Sequence, residues 1–167
     1  MTTTDQSDQP DRVEHRMERT YEVAATPEQV WDAIATADGI SAWMVPTRLD
    51  PRIGGEVSFD LGDFVSTGVV TDYTPNRRFA LEEPWPVAEG MPTAHHDLSS
   101  VTPIATEFLI EAASGGSCVI RVVTSAYGSG ADWENEFFTE MEVDWAAMLD
   151  NLATHLNAGE VAGSERR

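Results

Sequence analysis

Thr26-Pro27-Glu28-Gln29-Val30-Trp31, then Trp43-Met44-Val45-Pro46, then Arg52-Ile53-Gly54-Gly55-Glu56-Val57-Ser58-Phe59 form the stretch on which the fold turns. Thr26 stands where an N-cap hydroxyl belongs, and Pro27 at the first helical position, where a missing N–H costs nothing. Val30, Trp31 and Ile34 follow at helical spacing. They predict a helix of about three turns that ends near Gly39. Ile40, Trp43 and Met44 suit a second short helix that Pro46 ends. Gly54-Gly55 marks a turn that needs positive φ or close backbone approach, and Val57, Phe59 and Leu61 then alternate with Glu56, Ser58 and Asp60 as a strand. This order is typical of small proteins that wrap a sheet around an apolar pocket.

Upstream, Met17, Arg19, Tyr21 and Val23 share one face of a strand from His15 to Ala24. Residues 1–12 carry no large apolar side chain after Met1, so they cannot offset their own ordering entropy and are expected to be a disordered tail. Downstream, alternating runs occupy Phe64–Thr74, Arg77–Glu83, Thr106–Ala112 and Ser117–Tyr127. Turn signals at Leu61-Gly62-Asp63, Pro75-Asn76 and Ser114-Gly115-Gly116 separate them, which implies an antiparallel meander. The segment Pro84–Pro103 holds four prolines and no period, and reads as a long loop. From Ala131 to Asn157, Phe137, Phe138, Met141, Trp145, Met148, Leu149, Leu152 and Leu156 recur at three and four spacing, a helix of about 40 Å. Gly159 should close it, leaving residues 159–167 as a polar tail and 13–158 as a single domain.

The bulk properties narrow the partners. Ten basic residues face 29 acidic ones, a formal charge of −19, which repels nucleic-acid phosphates and anionic lipid headgroups; neither nucleic acid nor membrane is an expected partner. Cys118 is the only cysteine, so no disulfide within the chain and no cysteine-based metal site can form. The start of the sequence lacks the basic and apolar regions of a secretory signal, and no run of apolar residues is long enough to span a bilayer. A soluble, cytoplasmic protein is the expectation.

A strand, two short helices, five or six further antiparallel strands and one long helix leave few ways to bury every apolar face. The expected architecture is α+β: a curved antiparallel sheet wrapped around a long C-terminal helix, with the two short helices after the first strand plugging one end. Ala25-Thr26-Pro27 with Val30-Trp31, Trp43, Pro46, Arg52-Ile53-Gly54-Gly55, Gly68-Val69-Val70, Pro75, Arg78-Phe79, Gly115-Gly116 and the helix with Trp145 and Leu152 carry a family likeness. In these residues the chain resembles the START-like, or SRPBCC, superfamily with its helix-grip fold. Within it, the chain is similar to the branch of the C-terminal domain of heat-shock protein 90 ATPase activators. The resemblance spans roughly residues 13–158. It implies the fold, and it allows transport, cyclisation, hydrolysis or regulation through changes of loop and pocket. Cys118, where relatives often carry threonine, and Val123-Thr124-Ser125, where a histidine is usual, depart from the pattern.

The expected function is binding of a small, largely apolar ligand between sheet and helix. Alternation nominates Phe59, Val69, Phe79, Leu81, Phe108 and Val122 as lining, with Val57, Ile110 and Ile120 on the same faces and Phe137 and Met141 from the helix. Trp43 and Trp85, each beside a proline at a helix or loop end, suit the rim. Thr67, Thr106 and Thr124 could orient a ligand by single hydrogen bonds. No cofactor is implied. Two alternatives stand beside this: a co-chaperone-like or regulatory protein-interaction module with a filled interior, and a cyclase or hydrolase acting on a ring compound. For the latter, Arg19, Tyr73 and Glu83 are the titratable groups that alternation turns inward. His95-His96-Asp97 would be the nearest approach to a metal cluster, but adjacent histidines in extended chain point apart, and no metal is expected. Cys118 shares a face with Ile120 and Val122 and reads as a buried, inert thiol. Most helix carboxylates, Glu134 among them, read as a solvated face.

Overall fold

A computed structural model describes residues 13–62, 64–85, 93, 96 and 98–165. The expected tail at 1–12, and His95 and Asp97, lie outside the described residues. In chain order the elements are β1 (Val13–Val23), α1 (Pro27–Ile34), α2 (Ala37–Trp43), β2 (Thr47–Leu49), β3 (Glu56–Asp60), β4 (Val65–Thr74), β5 (Arg78–Glu83), β6 (Ile104–Ala112), β7 (Cys118–Gly128) and α3 (Asp132–Glu165). The strands form one seven-stranded antiparallel sheet in the order β1-β7-β6-β5-β4-β3-β2. It curves around α3 as a helix-grip α+β fold.

Local chemistry explains the starts and stops. Thr26 Oγ1 accepts from Gln29 N at 3.2 Å, and Gln29 Oε1 accepts from Thr26 N at 2.8 Å, a complete capping box ahead of Pro27. The first helix ends at Ile34 and not near Gly39, because Thr36 takes a second N-cap. Its hydroxyl donates to Asp32 O at 2.6 Å and accepts from Gly39 N at 3.0 Å, so Gly39 falls inside α2. At the next turn Gly54 has φ of 84°, and a Cβ on Gly55 would stand 2.1 Å from Asp50 O. Both glycines are therefore required by the backbone.

Three further expectations are corrected. The short strand β2 pairs with β3, Thr47 opposite Phe59, where the sequence shows only three residues and no period. The helix α3 does not close at Gly159 but continues to Glu165, so the polar tail expected at residues 159–167 is mostly helical. A glycine stops a helix only when it turns to positive φ, and Gly159 is not among the positive-φ glycines. In β4 the ladder to β5 slips between Val70 and Asp72, leaving Thr71 as the extra residue of a β-bulge.

The main core runs from α1 and α2 across the sheet to the C-terminal half of α3. Val30, Ile34, Val57, Phe79, Ile120, Val122, Leu149 and Leu152 are almost wholly buried in it. Each such side chain contributes roughly 1.5–3 kcal/mol. A second cluster, around Met17, Trp85, Ile104, Phe137 and Phe138, packs under the first turns of α3.

Candidate functional site

Between the middle of α3 and the concave face of the sheet the two clusters leave a cavity of about 360 Å³. Phe59 from β3, Phe79, Leu81 and Glu83 from β5, and Thr106 and Phe108 from β6 form the sheet wall. The facing helix wall is Phe137, Glu140, Met141, Asp144, Trp145 and Met148, residues three and four apart on one stripe. Trp43 and Met44 close one end from α2, and Leu61 and Phe64 stand beside it on the β3–β4 connection. Glu140, Asp144 and Leu61 are exposed and mark the mouth.

Seven of the ten nominated residues, Trp43, Phe59, Phe79, Leu81, Phe108, Phe137 and Met141, meet at this cavity. Three do not. Val69 is 39% exposed on the opposite face of the sheet, because the bulge at Thr71 flips the alternation: Ser66 and Val70 point inward before it, and Tyr73 packs on Trp31 and Phe79 after it. Thr67 is exposed for the same reason. Val122 is buried in the core but stops short of the cavity. Trp85 is buried in the second cluster, where its indole N–H donates to Thr102 O at 2.7 Å.

Trp43 is not a rim residue. It is 5% exposed, donates from Nε1 to Ala33 O at 2.8 Å, and its ring lies 6.4 Å from that of Trp145. Trp145 is the more accessible of the two, and its indole N–H donates to Thr124 Oγ1 at 3.0 Å. Thr124 in turn shares a 3.3 Å hydrogen bond with Thr106. These wall hydroxyls are thus partnered within the protein.

Glu83 is the one inward titratable candidate that reaches the cavity; Arg19 is exposed and Tyr73 sits in the aromatic core. Ser66 Oγ donates to Glu83 Oε1 at 2.7 Å. Burial pushes the Glu83 pKa up, and the Ser66 hydrogen bond only partly opposes the rise. The Cys118 thiol is buried and also pushed up by desolvation, as an inert thiol should be. Among the described residues no group of His, Cys, Asp and Glu is arranged to hold a metal ion.

Alternation could not reveal a second polar feature. Glu134, at the start of α3, is fully buried and not on the solvated face. Its carboxylate accepts from His15 Nε2 at 3.0 Å, Gly130 N at 2.8 Å, Ser129 N at 3.1 Å and Ser129 Oγ at 2.8 Å. Burial alone would raise its pKa, but these donors together hold it below the ordinary carboxylate range. The His15 ring stacks on Phe138 at 4.9 Å, and a Cβ on Gly128 would stand 2.3 Å from Glu134 Oε1. The cluster is a lock between β1, β7 and α3, outside the cavity.

A family model described as Activator of Hsp90 ATPase homolog 1-like protein matches residues 24–157. Among solved structures, the chain is similar to protein MLL2253 from Mesorhizobium loti, with a TM-score of 0.68 at 12% identity over 84% of this chain and 95% of that one. It is similar to Aha1 from Colwellia psychrerythraea, solved as a dimer, with 0.65 at 20% identity over 87% and 98%. Norcoclaurine synthase from Thalictrum flavum, solved with dopamine and hydroxybenzaldehyde, gives 0.59 at 17% identity over 89% of both chains. No curated protein matches by sequence.

Proposed function

The chain belongs to the activator of Hsp90 ATPase homolog 1-like family, and on that footing we propose that it binds a small, largely apolar molecule in the cavity between sheet and α3. One observation carries this reading: a space of about 360 Å³ persists in a core lined by Phe59, Phe79, Phe108, Phe137 and Met141. Cores pack to the density of organic crystals, so a void of this size, walled by aromatic rings and open at one side, is the form a ligand site takes. The same fold holds two small aromatic molecules in the norcoclaurine synthase complex. The interaction-module alternative requires a filled interior, and the cavity counts against it. A catalytic role would fall to Glu83, the single titratable side chain behind the mouth among the described residues; binding needs no second group, whereas acid–base work on a ring needs a partner. A reducing, cytoplasmic setting belongs to the proposal, with Cys118 buried and unpaired in disulfide terms.

Native mass spectrometry of the protein purified from its own host should show a retained small molecule. Calorimetry with the neutral probe 2-(naphthalen-1-yl)ethanol should show one site, abolished in Met141→Trp, which fills the cavity. Binding that survives Met141→Trp unchanged would place the probe elsewhere and end this reading.

A further inference from the structure

We propose that the ligand is a cation, a protonated amine on an apolar, ring-sized body, with its ammonium seated against Glu83. This rests on the ligand-binding reading and adds the charge. Three carboxylates, Glu83, Glu140 and Asp144, line the cavity, and no Lys, Arg or His does so among the described residues. All ten basic residues of the chain are arginines; those that pair do so away from the cavity, Arg78 with Asp72 and Glu107, Arg16 and Arg121 with Glu18, and Arg52 with Asp50.

The three acids are not equivalent. Glu140 and Asp144 are exposed at the mouth, four residues apart on α3 and on one side of the helix. Solvent screens them, so they attract a cation without being costly when empty. Glu83 lies inside, and Ser66 Oγ is its one hydrogen-bond donor among the described residues. An ionised carboxylate has about four acceptor positions. Glu83 is part-buried, and its remaining acceptor positions are accessible from the cavity, where a donor seated against them would satisfy them. The neighbouring hydroxyls of Thr106 and Thr124 are bonded to each other, and Thr124 also to Trp145, and neither is paired with Glu83. An ammonium brings three donors and the opposite charge. A carboxylate ligand would set like charges together, and a neutral alcohol would satisfy one acceptor and no charge.

Three probes that share one naphthalene body separate these cases: 2-(naphthalen-1-yl)ethylamine, 2-(naphthalen-1-yl)ethanol and 1-naphthylacetate, titrated calorimetrically into the full chain at neutral pH and physiological salt. The amine should bind about tenfold or more tightly than the alcohol, with the acetate weakest. Glu83→Gln should remove the amine's advantage, so that amine and alcohol bind within about twofold of each other. Glu140→Gln combined with Asp144→Asn, both exposed, should slow amine association at low salt by a larger factor than alcohol association. If the amine gains nothing over the alcohol, or the acetate binds tightest, the cation is wrong while the ligand site stands. If none of the three binds, the ligand site itself falls and this inference with it. The probe series on the unaltered protein decides the matter even if a variant fails to fold.

Discussion

Two glutamates in this core are held in opposite states, and their pH behaviour should separate them. Glu134 has a lowered folded pKa, so its stabilising contribution is present above the ordinary carboxylate value of about 4.3 and is lost as pH falls through the folded value. Glu83 has a raised folded pKa, so stability is lost as pH climbs from the ordinary value through the raised one. Glu134→Gln would turn an amide NH₂ toward the N–H donors of Ser129, Gly130 or His15. It should cost about 2–4 kcal/mol in urea denaturation at neutral pH. Glu83→Gln keeps an oxygen for Ser66 and removes a desolvated charge, so its thermal midpoint should rise by roughly 2–4 °C near neutrality. That gain should disappear in acid, where the native side chain is already protonated; a gain of the same size at both ends would show that ionisation is not its source. The two indoles form a second pair. Trp43→Ala empties a buried position and should cost about 3–5 kcal/mol. Trp145→Ala should cost less and mainly widen the cavity, because its ring is only half-buried; equal losses in parallel melts would mean that both indoles are ordinary core.

The bulge in β4 decides which side chains the sheet turns toward the helix. Deleting Thr71 would force one parity on the whole strand. Either Ser66 and Val70 turn to solvent and Thr67 and Val69 inward, or Tyr73 leaves Trp31 and Phe79. Each outcome should cost about 2–4 kcal/mol, read as a drop in the urea midpoint with the slope kept. A deletion variant as stable as the parent would mean that the bulge is incidental. The same feature marks where the sequence stopped being readable. Capping at Thr26, the turn at Gly54-Gly55 and the inward faces of β6 and β7 were legible, because each depends on a few neighbouring residues. Counting alternate positions from Tyr73 back to Val69 passes through the slip, and a one-residue insertion leaves no trace in composition. β2 spans three residues, too few to show a period. For Glu134, the apolar stripe of α3 gave the wrong face. The first turn of that helix meets β1 and the loop after β7, and its partner His15 lies 119 positions away in sequence.

Over the whole molecule, 29 acids against ten arginines leave a formal charge of −19, an excess that stands even with every arginine paired. Self-repulsion of this kind destabilises the compact state and is screened by salt, so added sodium chloride should raise the thermal midpoint modestly. A midpoint that falls steadily with salt would show that specific attractive pairs outweigh the repulsion. The order of the sheet has a consequence of another kind, for how the chain is made. Of the seven strands of this sheet β1 leaves the ribosome first and β7 last, yet they are hydrogen-bonded neighbours from Val13 opposite Gly128 to Val23 opposite Cys118. The hairpins from β2 to β5 pair as they are synthesised, whereas β1 has no partner strand until β7 appears. At roughly 5–20 residues per second that delay is on the order of 5–20 s. During it the backbone edge of β1 stays unpaired, and its apolar row of Met17, Tyr21 and Val23 waits longer still for α3 to cover it, the kind of exposed surface that chaperones bind.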